Sequence, residues 1–236
     1  MNESLWLLTG SAASIGFIHT IIGPDHYLPF IMMGKAQQWS RAKTLVVTAL
    51  CGVGHVLSSV LLGFVGIAFG IALQRLELIE GVRGELAAWA LISFGLIYAA
   101  WGIRRALKDT AHEHAHVHDD GTVHTHHHSH LLSGSSHRRS HHRVMTTWAL
   151  FTIFVLGPCE PLIPLLMFPA AQESTFGIVM VSGVFGIVTI TTMLGMVWLV
   201  SVGLHRLPMR QLERWTHALA GGIIACSGLA IQFLGL

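Results

Sequence analysis

The sequence predicts an all-α integral membrane protein of six transmembrane helices, built as two inverted three-helix repeats whose first and fourth helices are broken by proline. Three observations predict it. Only 11% of the 236 residues are charged and 52% are hydrophobic, whereas a soluble domain carries about 25% charged residues. Six apolar runs each reach the roughly 20 residues that a helix needs to cross a bilayer. Finally, "GPDHYLPFIM" from Gly23 returns as "GPCEPLIPLLM" from Gly157, at corresponding places in the two halves.

The runs lie near Leu5–Met33, Thr44–Leu73, Leu86–Leu107, Met145–Ala170, Thr175–Leu204 and Trp215–Leu236. They divide the chain into a first membrane repeat over 1–107, a histidine-rich loop over 108–143 and a second repeat over 144–236. Nothing is left over for a separate soluble domain. The opening "MNESLWLL" lacks a basic n-region and a small-residue cleavage site, so no removable signal peptide is expected. Cys51, Cys159 and Cys226 all fall within spans and say little about redox compartment. Basic residues number 3 between spans one and two, 6 from the end of span three (Arg104 and Arg105 included) to span four and 3 between five and six, against only Arg75 and Arg83 on the other side. The positive-inside rule then puts both termini outside a bacterial-type inner (plasma) membrane and the large loop in the cytoplasm.

In the first span, Pro24 cannot donate to the carbonyl of Thr20. In the fourth, Pro158 cannot donate to that of Phe154. Both helices should kink or break there, and carbonyls freed at membrane depth survive only against protein or a wet cavity. Span two carries "CGVGHVLSS" and span five "SGVFGIVTITT", each a Gly-rich stretch leading into small hydroxyl residues. Three spans per half make the copies inverted, and in transporters the broken helices of such repeats meet at the cargo site.

The membrane-embedded ionisable set read from these spans is His19, Asp25, His26, His55 and Glu160, with Cys159 beside the last. Imidazole, carboxylate and thiolate are the side chains that hold divalent transition metals, and intramembrane carboxylates point to function by default. The structural alternatives are helix-packing hydrogen bonds from His55 and a simple Asp25–histidine pair. His19 and His26 share a face of an ideal helix but differ by about 10.5 Å in rise. One ion can bridge them only if the Gly23-Pro24 break shortens that distance; otherwise they are successive stations on a path. His205 and His217 lie near span ends.

The loop holds 12 of the 17 histidines, and its low complexity argues for disorder. His112, His114, His116, His118, His124, His126, His127, His128 and His130 are labile metal ligands by chemistry. The alternative is a spacer with incidental metal affinity. His112-Glu113-x-x-His116 matches a metalloprotease pattern, but such a match is nearly free in a run this rich in histidine.

Nearly the whole chain resembles the NicO/RcnA-type nickel–cobalt transporters and the related UreH-like membrane proteins, in the LysE/CcdA-related superfamily. The most specific element is "HTIIGPDHYLPF", whose five residues between His19 and Asp25 fit the UreH-like branch. The resemblance implies a transition-metal transporter, nickel or cobalt first and zinc also compatible. It implies His19, Asp25, His26 and His55 as ligands and Cys159-Glu160 as their second-half counterpart. The expected partners are the metal ion and the bilayer, with no nucleic acid, no fixed cofactor and no enzymatic activity. The same superfamily implies a rival, a CcdA/DsbD-like transmembrane thiol–disulfide electron carrier. Such carriers need a cysteine in each half, and the first-half position after Gly-Pro is Asp25.

Overall fold

The structure is a computed structural model that describes residues 3–108, 112–117, 123–128, 136–171, 174–205 and 213–235. Helix α1 (Glu3–Ile22) ends at Gly23, and a single 3-10 turn (Pro24–His26) leads into the short α2 (Leu28–Ala36). Two long helices follow, α3 (Arg41–Ala68) and α4 (Leu73–Lys108). The second half repeats the order: α5 (Ser136–Leu156), a break, the short α6 (Leu162–Ala171), then α7 (Thr175–His205) and α8 (Thr216–Leu234). Between the halves, β1 (His112–Val117) and β2 (Val123–His128) pair antiparallel, with His112 opposite His128, His114 opposite His126 and His116 opposite His124. His118 and His130 lie outside the described residues.

Among the described residues five helices are long and apolar enough to cross a membrane, and the protein is a multi-pass membrane protein. Expected span four differs. Only Thr146–Leu156 of α5 is apolar, and the chain breaks at once into the ten-residue α6. The expected break therefore divides span four into two pieces, neither long enough to cross alone. Expected span three also differs, because α4 starts at Leu73 and takes Glu80 and Arg83 into the helix.

The sequence of α3 shows why these helices assemble as they do. Ser40 caps it, its hydroxyl accepting from the Lys43 amide at 3.2 Å. Its outer face carries Val46, Leu50, Val53, Leu57, Leu61 and Val65, all exposed. Its inner face carries Thr48, Cys51, Gly52, His55, Ser59 and Gly63. Large apolar groups outside and small or polar groups inside is the pattern of a helix solvated by lipid. Two inner hydroxyls are satisfied within their own helices: Thr48 bonds the Thr44 carbonyl at 2.9 Å and Thr20 that of Gly16 at 2.7 Å.

Helices α1 and α7 pack together, as do α5 and α3, while α4 lies along α8. The α4–α8 seam is made by glycine. A Cβ on Gly95 would strike the backbone of Ala225 and Gly221, and one on Gly221 would strike Ala99 and Gly95. The two backbones touch, and dispersion between them replaces the hydrophobic drive that lipid cannot supply. A Cβ on the next residue, Gly222, meets nothing within 4 Å. Gly221→Leu should therefore cost at least the ~1–3 kcal/mol typical of overpacking, and Gly222→Leu should be nearly neutral. Thermal unfolding in detergent measures both, and equal midpoints for the two variants would refute the close seam.

Candidate functional site

Each break leaves backbone groups without helical partners, and the site is built from the side chains that satisfy them. At the second break Pro158 has no N–H for the Phe154 carbonyl, and His55 on α3 supplies one, Nδ1 lying 3.3 Å from that oxygen. The Arg83 guanidinium donates to the Val155 carbonyl at 3.0 Å and to that of Gly157 at 3.5 Å. The Cys159 amide donates to Ser59 Oγ at 3.0 Å. Arg83 is itself held by Glu80 at 2.6 Å and Ser58 at 2.7 Å. Helices α3 and α4 thus reach across with three side chains and tie down the broken segment. Unsatisfied groups in that position would cost about 1–3 kcal/mol each.

The first break is tied more locally. The Gly23 amide donates to the His19 backbone carbonyl at 3.0 Å, and the Tyr27 hydroxyl reaches the Ile21 carbonyl at 3.3 Å. His26 Nδ1 lies 3.2 Å from the Gly23 carbonyl and 3.1 Å from Asp25 Oδ1. The turn returns His26 toward α1, so the rings of His19 and His26 stand 4.7 Å apart, edge to face. His26 is in turn 5.2 Å from His55. One ring nitrogen from each of the three lies within 4.8 Å of the others. The break shortens the helical rise and brings both histidines of the first segment to one point.

The hydrogen bonds fix the tautomers of two rings. Both neighbours of His26 Nδ1 are acceptors, and so is the Phe154 carbonyl against His55 Nδ1, so in the neutral rings the proton sits on Nδ1 and Nε2 carries the lone pair. Among the described residues five buried side-chain nitrogen or oxygen atoms have no partner, and three of them are Nε2 of His19, His26 and His55.

The three histidines line a cavity of about 510 Å³ together with Asp25, Glu160 and Pro158. A second cavity, of about 450 Å³, lies against Glu77, Glu80 and Glu160. Of the residues expected to ligate, His19, His26 and His55 converge, while Asp25 is bonded to the back of His26. Glu160 is exposed on the cavity wall. Cys159 turns the other way, fully buried among Ala12, Leu162, Leu166 and Phe185. Cys51 belongs to a different cluster with Phe30, Phe154 and Met193, and Cys226 is exposed. Ser59, which meets Cys159, is eight residues beyond Cys51 on α3, about 12 Å of rise. Glu80 and Arg83 were missed by hydropathy, because Arg75, Glu77, Glu80, Arg83 and Glu85 crowd one short stretch. The signal was in the spacing: Leu76, Glu80 and Gly84 are buried at four-residue steps on α4.

Residues 28–230 match the model of a family described as Cytochrome C biogenesis protein transmembrane region. No curated protein and no solved structure matches the chain. The family match covers most of both halves and overturns the resemblance to the NicO/RcnA-type nickel–cobalt transporters. It favours the CcdA/DsbD-like electron carrier over the metal transporter.

The Arg83 tie gives a test of the site's construction. Arg83→Met leaves the Glu80 carboxylate buried without its partner, a change that costs about 3–5 kcal/mol in comparable pairs. Replacing both as Glu80→Leu with Arg83→Met removes the stranded charge and should recover much of that loss. Thermal unfolding in detergent reads the difference, and a single variant as stable as the double one would contradict the arrangement.

Proposed function

The chain belongs to the cytochrome c biogenesis transmembrane family, and we propose from that premise that it carries reducing equivalents across the membrane by thiol–disulfide exchange at Cys159. The observation that carries this reading is the family match over residues 28–230. Cys159 supports it by position, directly after Gly157-Pro158 at the second break, where the helix is interrupted; its thiol is fully buried, so exchange requires the break to open.

Exchange moves two electrons. The Cys159 thiolate attacks a disulfide of an incoming partner, forming a mixed disulfide and releasing one partner thiolate. A second thiol of this chain then attacks Cys159 Sγ, closing an internal disulfide and releasing the partner's other thiolate. The partner is reduced and the chain oxidised, and a dithiol on the opposite face reverses the change. Cys51 is the buried candidate for the second thiol. Bonded cysteines have Cα atoms within about 7 Å, so the cycle requires a second arrangement of α3 against the break, with the Ser59 and Arg83 ties exchanged.

The two-fold order of elements supports inverted halves that rock against each other. The distribution of basic residues supports outward termini and a cytoplasmic histidine loop. Nickel or cobalt transport is the weaker reading for a member of this family.

Proteoliposomes loaded with an impermeant dithiol protein and given an impermeant aromatic disulfide outside test the proposal. Parent protein should release the aromatic thiolate well above the rate of empty vesicles. Cys159→Ser and Cys51→Ser should each fall to that background while Cys226→Ser keeps the parent rate. Parent-like release by Cys159→Ser would sink the reading.

A further inference from the structure

We propose that His19, His26 and His55 together hold one divalent transition-metal ion through Nε2, on the floor of the cavity between the two proline breaks. The inference is independent of thiol exchange, since Cys159 faces away from the cluster.

Proton counting carries it. Two of the three rings have committed their N–H to backbone and carboxylate oxygens behind them, so neither can donate into the cluster. At most His19 can, and one N–H cannot satisfy the lone pairs of both His26 and His55. Three buried Nε2 atoms are without partners on rings that each bring a nitrogen within 4.8 Å of the other two; at least one lone pair stays unmatched whichever tautomer His19 takes, and with its proton on Nδ1 one transition-metal ion accepts all three lone pairs at once. The geometry is close to what such an ion requires. A tetrahedral ion bound at about 2.0–2.1 Å spaces its nitrogen ligands about 3.4 Å apart, and the present limit of 4.8 Å closes to that by small ring rotations.

The surroundings fit the same reading. Asp25 on Nδ1 of His26 makes the carboxylate–histidine arrangement that fixes tautomer and raises ligand basicity, which makes Asp25 a positioning residue. The Phe154 carbonyl does the same for His55. Three neutral nitrogens with one open side toward the cavity suit Zn²⁺, Cu²⁺, Ni²⁺ or Co²⁺. They do not suit Mg²⁺ or Ca²⁺, which take oxygen. The open fourth position faces Glu160 and the cavity, where a water or a small anion completes the shell.

The loop histidines bind metal on their own account, so the test uses full-length protein carrying His→Asn at every loop histidine between 112 and 142. That protein is expected to bind one Co²⁺ per chain with the visible absorption of a four- or five-coordinate ion and no thiolate charge-transfer band. Zn²⁺ should displace the Co²⁺ and excess Mg²⁺ should not. Added on that background, His19→Ala and His26→Ala should abolish the band, and Asp25→Asn should weaken binding by roughly 10- to 100-fold. Cys159→Ser should leave stoichiometry and spectrum unchanged, which separates failure of this site from failure of the redox reading. Should a histidine variant fail to fold, Cu²⁺ electron paramagnetic resonance on the folded loop variant decides alone, with nitrogen splitting from three imidazoles expected. No bound ion in the loop variant, an unchanged band in His26→Ala, or a spectrum without three nitrogens overturns the proposal.

Discussion

A proline inside a membrane helix frees backbone groups that no water can satisfy, and the interior of this protein is organised around meeting that requirement. At the second break the partners come from other helices. His55, Ser59 and Arg83 take the Phe154 carbonyl, the Cys159 amide, and the Val155 and Gly157 carbonyls respectively. Polar side chains on α3 and α4 are thereby forced inward at one level of the bundle. Glu80 follows because a guanidinium at that depth needs a counter-charge. What looks like a collection of separate buried polar groups is one hydrogen-bonded support with the broken strand of backbone at its centre.

That support also decides the chemistry of the imidazoles. A histidine that only packs between helices can choose its tautomer, but one whose Nδ1 must donate to a stranded carbonyl cannot. The break therefore fixes the His55 lone pair on Nε2, on a ring 5.2 Å from that of His26. Asp25 and the Gly23 carbonyl do the same for His26. Structural satisfaction at the back of each ring produces a vacant donor set at the front. A buried cluster of this kind is destabilising by itself, which places a stabilising and a functional demand on the same residues.

Much of this was legible in the sequence, and the failures have physical causes. The two breaks follow from proline chemistry alone. The separation of His19 and His26 was not legible, because an ideal helix puts them about 10.5 Å apart in rise and only the Gly23–His26 turn brings the rings to 4.7 Å. Cys159 and Glu160 match Asp25 and His26 in position after Gly-Pro, but the direction of a side chain leaving an irregular turn is not encoded by such a match: one faces the apolar wall and the other the cavity. Glu80 and Arg83 escaped because hydropathy averages over a turn in which their charges are conspicuous and their mutual neutralisation is invisible. The transporter resemblance rested on a short motif of histidine, aspartate and proline, and side chains of that kind recur wherever a membrane helix is broken over a polar site. The family match over residues 28–230 weighs both halves and is the stronger guide to descent.

The two breaks carry different side chains: Cys159 and Glu160 follow the proline of the second, and Asp25 and His26 that of the first. A thiol and an imidazole pair are not interchangeable in membrane: the thiol is neutral and small enough to sit in an apolar wall, as Cys159 does among leucines. The imidazole needs a partner on both nitrogens and draws a third histidine and a cavity toward it. The cavity touches both breaks, yet Cys159 lies in the apolar wall behind the second while His26 stands at the cavity from the first. Any motion that rocks the halves must break the Arg83 and Ser59 ties while keeping the freed carbonyls paired, so the same side chains that hold the resting arrangement set the barrier to leaving it.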